Sequence, residues 1–266
     1  MINLNTVEKE FNKFVDKYDQ EQKIILKRKH TKNVAKLCNE ISTWFVEEKK
    51  NKQIVEQAGG KENFIELATT IGWLHDIGRF EQAKLFDSFN DRLTFDHAQY
   101  GVEILKKNNY ISKYCDNKKF YNTIFTAVEN HNKISIKEGL NELDLSLCKI
   151  IRDADKLDIY RVYVERIQNN KNGQDINKSI NPKIIKNLLS KKIIDKKDKK
   201  SDIDNYLLSL GFVYDINYLK SYELLKKSDY INLIVDKIEE LIAQNKKIEI
   251  EIVRKIINQY IDEKLV

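Results

Sequence analysis

The chain contains one proline and eight glycines in 266 residues, both far below ordinary usage. Proline removes a helical hydrogen bond and glycine raises the entropic cost of ordering a helix, so their scarcity favours long helices. No stretch of about 18 apolar residues occurs, and no transmembrane span is expected. The opening residues Met1-Ile2-Asn3-Leu4-Asn5 lack a basic segment followed by an apolar one, so no secretory signal is expected and the protein reads as cytoplasmic. Cysteine is sparse. Cys38, Cys115 and Cys148 form no CxxC pair, which excludes a zinc ribbon and reads as buried, reduced thiols. No GxxxxGKS loop and no GxSxG elbow is present, and Gly59-Gly60 reads as a turn.

Hydrophobic residues make up 41% of the chain and charged residues 33%, which suits a soluble globular protein of one large domain, or one domain with an appendage. The formal charge of +6 is mild. It suits a small phosphorylated substrate and demands neither nucleic acid nor a membrane as partner. The lysine run near 191–200 reads as a solvated loop. Oligomeric state, a homodimer included, is left open.

Helical periodicity runs through nearly the whole chain and predicts an all-α fold. Val7, Phe11, Phe14, Val15 and Tyr18 share one stripe of an opening helix that starts near residue 6. A helix over about 23–48 carries Leu26, His30, Val34, Leu37, Cys38, Ile41 and Phe45. The next, over about 62–76, is almost wholly apolar at its end and should be central, with Gly78 stopping it. Residues 79–95 read as an irregular loop with Phe80, Phe86, Phe89 and Phe95, and a loop of that length tends to be functional. Asp96 is the expected N-cap of a helix beginning near His97. Further helices are expected over about 119–130 and 144–161. Residues 169–205, which hold Gly173 and Pro182, read as a polar insertion or lid, and two more helices follow from about 215, the Ile248–Ile252 alternation included. The expected organisation is therefore a helical core over 1–168, the insertion over 169–205, and C-terminal helices over 206–266 packing on the core.

The four histidines are His30, His75, His97 and His131, each in or at the edge of an apolar helical stretch. A lone histidine on such a stripe is ordinarily a hydrogen-bonded core residue. Here His75 is followed directly by Asp76, and the acidic cluster Arg152-Asp153-Ala154-Asp155-Lys156 comes after the last histidine. His30, His75 and Asp153 each have apolar neighbours three or four positions away, so they are expected to point into one core. Buried carboxylates and imidazoles without partners cost several kcal/mol, roughly 2–7 for a neutral polar group alone, and a shared cation removes that cost. Imidazole and carboxylate together suit Fe, Mn, Co, Ni or Zn. Consecutive helical side chains diverge by about 100°, so His75 and Asp76 can serve one site only from a helix end.

On these motifs the chain resembles the HD-domain superfamily of metal-dependent phosphohydrolases. The family pattern of a His, a His-Asp pair and a distant Asp is similar to His30, His75-Asp76 and Asp153, and the two further histidines of its two-metal members match His97 and His131. The resemblance covers about residues 20–165, in the contexts Leu74-His75-Asp76-Ile77-Gly78-Arg79, Asp96-His97-Ala98-Gln99-Tyr100-Gly101, Glu129-Asn130-His131-Asn132 and Arg152-Asp153-Ala154-Asp155-Lys156-Leu157-Asp158. Phe212–Tyr218 extends it weakly. The glycine-tyrosine-proline signature of the superfamily's cyclic-dinucleotide phosphodiesterases is missing.

The resemblance implies an HD-domain helical bundle with additional C-terminal helices and two divalent ions (Fe, Mn, Mg, Co, Ni or Zn). His30, His75, Asp76 and Asp153 would hold the first ion, and Asp76, His97 and His131 the second. Asp76, His75 and Asp153 would then be catalytic, with metal-bound hydroxide cleaving a phosphoester or phosphoanhydride of a small molecule, a nucleotide foremost. Arg79, Lys156 and Asn132 are the candidate substrate-binding residues. For Arg79 a pairing with Glu81 or Asp96 is the alternative, and for Lys156 or Arg152 a surface charge pair. Two rival functions remain on the same fold: a di-iron oxygenase, and a non-catalytic nucleotide-binding or regulatory protein.

Overall fold

Val7, Phe11, Phe14 and Val15 are all buried and fall on one face of α1 (Leu4–Val15), which Asn3 caps by accepting from Thr6 N at 3.1 Å. The computed structural model describes residues 2–169 and 179–266, and among these every regular element is helical. The chain divides into two compact units, Met1–Asp155 and Lys156–Val266.

The first unit is organised around α2 (Gln22–Glu47) and α4 (Lys61–Leu74), which follow one another across the short α3 (Lys52–Gln57). All residues from Leu67 to Gly78 are buried, as expected for a helix end that is apolar on every side. Gly72 permits the close approach of α4 to α2: a methyl group there would lie 2.7 Å from Ala35 Cα. Phe45 and Phe64 stack across the pair with ring centroids 4.8 Å apart. Helix α1 closes the other side, laying Phe11 against Trp73 at 5.1 Å and Phe80 at 5.7 Å.

Gly78 does not end a helix. It lies inside α5 (Ile77–Phe86), so residues expected to be an irregular loop are helical as far as Phe86, and the break falls at Asp76, whose φ of −105° and ψ of 17° are non-helical. The reason for glycine is tertiary. A Cβ at position 78 would stand 2.2 Å from the His97 carbonyl oxygen and 2.9 Å from Gly101 N, both on α6 (His97–Lys106). Gly78→Ala is therefore expected to lose about 3 kcal/mol by overpacking against backbone, although alanine gains about 1 kcal/mol in helix propensity. Urea unfolding checks this, and a variant as stable as the parent would remove the steric argument.

The phenylalanines of residues 79–95 are divided between core and surface. Phe80 is fully buried among Phe11, Phe14 and Tyr18, whereas Phe86 is 48% exposed and meets Phe95 at 5.8 Å. Asp96 caps α6 as expected, accepting from Ala98 N at 3.0 Å and Gln99 N at 3.3 Å. After 3-10 turns at Lys107–Lys113 and Lys118–Phe120 comes α7 (Tyr121–Asn130), and then α8 (Glu142–Asn169), which starts in the first unit and ends in the second. The two units meet in sequence within α8, between Asp155 and Lys156.

In the second unit, Gly173 and its neighbours over 170–178 lie outside the described residues. The remainder of the expected insertion is packed. Asn181 caps α9 (Pro182–Leu189), which buries Ile184, Ile185 and Leu188, and the buried Asp204 of α10 (Asp202–Leu210) accepts from Asn181 N and Lys200 N, each at 2.9 Å. Three helices follow rather than two: α11 (Leu219–Ser228), α12 (Tyr230–Leu241) and α13 (Gln244–Leu265). The extra break is at Asp229, which takes a left-handed φ of 57°. Ile248–Ile252 is helical, inside α13.

Candidate metal centre

Helix ends place the ligand-type side chains. His75 stands at the C-terminal cap of α4 and Asp76 immediately before α5, so the chain turns between them and both reach one cluster. His97 opens α6, His131 follows α7, and His30 enters from the middle of α2. His30, His75, Asp76, His97 and His131 are all between 0 and 5% exposed.

The two oxygens of Asp76 face different imidazole pairs. Oδ2 lies 3.5 Å from His30 Nε2 and 3.5 Å from His75 Nε2. Oδ1 lies 3.2 Å from His97 Nε2 and 3.6 Å from His131 Nε2. His30, His75 and Asp76 form one group able to hold a metal ion, and Asp76, His97 and His131 another. Asp76 is common to both.

The tautomers suit cation binding. His75 Nδ1 is 2.8 Å from Gly72 O and His131 Nδ1 is 2.6 Å from Val128 O. A carbonyl can only accept, so each Nδ1 carries the proton and each Nε2 offers a lone pair to the cluster. His75 Nε2 is buried and makes no hydrogen bond. His97 Nε2 and His131 Nε2 are 3.0 Å apart, and with neutral rings they meet lone pair to lone pair. A cation shared by these nitrogens and Asp76 relieves that repulsion, so the residues present fit a divalent metal. Burial holds His131 neutral, with its pKa lowered to about 4. Burial would raise the Asp76 carboxyl, but the charge of Lys27 is foremost among the effects that hold it well below the usual carboxylate range.

Asp155, which was not among the expected ligands, stands beside His30 and His75, two positions from the expected Asp153. Asp155 Oδ1 lies 3.1 Å from His30 Nε2 and 3.8 Å from His75 Nε2. Burial pushes Asp155 up, but its hydrogen bond with His30 is foremost among the effects that bring it well below the usual range. Asp153 is fully buried, two residues and about 200° around α8 from Asp155. Both carboxylates, after burial itself, raise the thiol of Cys38, which with Cys115 and Cys148 is free and buried.

Asp91, absent from the expected site, is the principal positioning residue. Its carboxylate takes His97 Nδ1 at 2.8 Å and accepts from Arg79 Nη1 at 2.7 Å and Gln82 Nε2 at 2.9 Å. Burial works against its ionisation, but the hydrogen bond of His97 and the charge of Arg79 hold Asp91 well below the usual range. A polar loop residue six positions before a histidine carries no periodic signal, so sequence reasoning missed it. Asp91→Asn keeps the shape and removes the charge that orients His97. Metal affinity of the His97–His131 side is expected to fall about 10–100-fold, as read by metal titration.

Of the expected substrate-binding residues, Arg79 keeps its Nε 3.6 Å from Asp76 Oδ1 while its Nη1 is held by other groups, and Asn132 and Lys156 have partners of their own. Arg79 pairs with neither Glu81 nor Asp96: Glu81 accepts from Tyr18 Oη at 3.0 Å, and Asp96 is paired with Lys133. Besides Asp91, Arg79 donates to Gln82 Oε1 at 2.6 Å and Phe89 O at 2.7 Å. Asn132 Nδ2 donates to Asp96 Oδ1 at 2.9 Å, tying the turn after His131 to the cap of α6. Lys156 belongs to the second unit, where it is buried and 2.7 Å from Asp215 Oδ2. Arg152 is buried too, and donates to the carbonyls of Asn130, Lys133 and Ile134, fixing the same turn. Asp91, Asp96 and His97 form a third acidic group, but its carboxylates are already engaged by Arg79, Asn132 and Lys133. Lys27 was also missed. Its Nζ is 2.6 Å from Asp76 Oδ2.

Fold and site together define an all-helical protein with a buried histidine-aspartate metal-ligand cluster. The family model for the HD domain matches residues 28–160, and the chain belongs to that family. No curated protein and no solved structure matches the chain. HD domains bind divalent metals, and the family consists mostly of metal-dependent phosphohydrolases.

Proposed function

We propose that the protein is a phosphohydrolase that uses two divalent ions to cleave a phosphoester or phosphoanhydride bond of a small molecule, a nucleotide foremost. The reading rests on one observation above the others: the two oxygens of Asp76 address separate imidazole pairs. A carboxylate with that disposition suits a bridge between two cations. Divalent ions in such a cluster stabilise the charge of a phosphoryl group and supply an acidified water at neutral pH.

The chain's own residues hold that chemistry in place. Gly72 O and Val128 O fix the tautomers of His75 and His131, and Asp91 does so for His97. Arg79 and Gln82 hold Asp91, so the loop over 87–96 and α6 keep one register. The near-complete burial of the five central ligands excludes bulk water and strengthens each electrostatic contact.

The test is metal analysis of the purified chain coupled to a panel of nucleotide and sugar phosphates with added Mn, Mg or Fe. Metal-dependent phosphate release, abolished by a chelator, is the expected result. Oxygen uptake by the iron-loaded protein without phosphate release would assign it to oxygenase chemistry instead. Tight nucleotide binding with no turnover across the panel would make it a sensor.

A further inference from the structure

Lys27 lies three residues before His30 on α2, one helical turn away on the same face. Other basic residues of this helix point outward: Lys23 pairs with Asp87, Arg28 with Asp16 and Lys32 with Glu8. Lys27 points inward. Its ammonium lies on Asp76 Oδ2, the oxygen that also faces His30 and His75, and its side chain is 18% exposed. The same ammonium stands 5.5 Å from the centre of the Phe89 ring, and the Arg79 guanidinium stands 5.8 Å from that centre.

Resting on the phosphohydrolase reading, we propose that Lys27 is a substrate-binding residue that leaves Asp76 when a divalent ion is bound and takes an oxygen of the substrate's phosphoryl group. Asp76 Oδ2 cannot serve an ammonium at hydrogen-bond distance and a divalent cation together without strong like-charge repulsion. The lysine arm has four rotatable carbons and a second contact, the Phe89 ring, so it is displaced without being stranded. The other cations around the cluster are held by groups that position ligands. Releasing Arg79 would free Asp91 and with it His97, and releasing Lys133 would free Asp96 at the cap of α6. Lys27 can move without dismantling any ligand. It supplies a positive charge beside the ions, where a phosphoryl group carries negative charge, and in the metal-free chain it neutralises a buried carboxylate.

The test uses the full chain and two probes, Mn(II) and inorganic phosphate, with Lys27→Met and Lys27→Arg as variants. Calorimetric titration of Mn(II) into metal-free protein is expected to show tighter binding by Lys27→Met, by about tenfold, because the competing ammonium is gone. Phosphate titrated into the Mn(II)-loaded protein is expected to bind Lys27→Met about 10–100-fold more weakly, the range of one charge-assisted hydrogen bond. Lys27→Arg, which keeps the charge, is expected to recover most of that loss. Lys27→Met with a full metal complement and unchanged phosphate affinity overturns the proposal, as does weaker Mn(II) binding by that variant. Wild-type protein that binds phosphate through Lys27 but hydrolyses nothing in the panel contradicts only the phosphohydrolase reading. Wild-type protein that holds Mn(II) but binds no phosphate contradicts both.

Discussion

Asp76→Ala is expected to lose both ions and at least about a thousandfold in phosphate release, equivalent to ~4 kcal/mol of transition-state stabilisation. The effect exceeds that of any single histidine because each imidazole serves one side of the cluster, whereas Asp76 is common to both groups. His97 Nε2 and His131 Nε2 would then face each other at 3.0 Å with neither a carboxylate nor a cation between them and solvent. Lys27 would lose the partner that holds it inward. Metal content by elemental analysis and steady-state phosphate release measure the result, with circular dichroism confirming that the helices persist. A variant that retains two equivalents of metal would remove the bridging assignment, and the two-ion reading with it.

The second large effect separates two aspartates that lie two positions apart. Asp155→Asn preserves volume and removes the charge beside His30 and His75. Loss of the ion on that side, with a drop in activity of about a hundredfold or more, is expected. Asp153→Asn should keep its metal, because Asp155 Oδ1, 3.1 Å from His30 Nε2 and 3.8 Å from His75 Nε2, leaves that side a carboxylate of its own. Its cost should appear in stability instead, about 1–3 kcal/mol for perturbing a buried, engaged carboxylate. Side-by-side metal titration and urea unfolding of the two variants decide the matter. The reversed pattern, with Asp153→Asn losing metal and Asp155→Asn keeping it, would return the ligand role to Asp153.

Much of the cluster was readable before any coordinates because its members are rare residue types in an unusual setting. Four histidines on apolar helical stretches, one of them followed by aspartate, set an imidazole-carboxylate site apart from ordinary core positions. Helical periodicity and the scarcity of proline were enough for the all-α class, and Asp96 was visible as a cap because capping depends on local sequence alone. Asp153 was read as a ligand from the apolar spacing around it, a weak signal over residues 150–157, where α8 is buried at nearly every position. Ile150 and Leu157 mark the face of Asp153 as apolar, but Ile150, Ile151, Ala154 and Leu157 are all buried, so hydrophobic spacing cannot tell which buried face meets the histidines.

The parts that only tertiary structure decided are pairings between distant segments. Gly78 looks like a helix terminator in one dimension and is a contact point for His97 O in three. Asp91 reads as a loop polar residue until α6 brings His97 to it, and Lys27 as one more basic residue of α2 until the turn between α4 and α5 sets Asp76 beside its ammonium. Local sequence determined which stretches are helical and which side chains could bind a cation, because backbone propensity and ligand chemistry belong to residues individually. Which carboxylate meets which imidazole depended on how the helices pack, since a rotation of about 100° per residue turns neighbouring positions towards different partners.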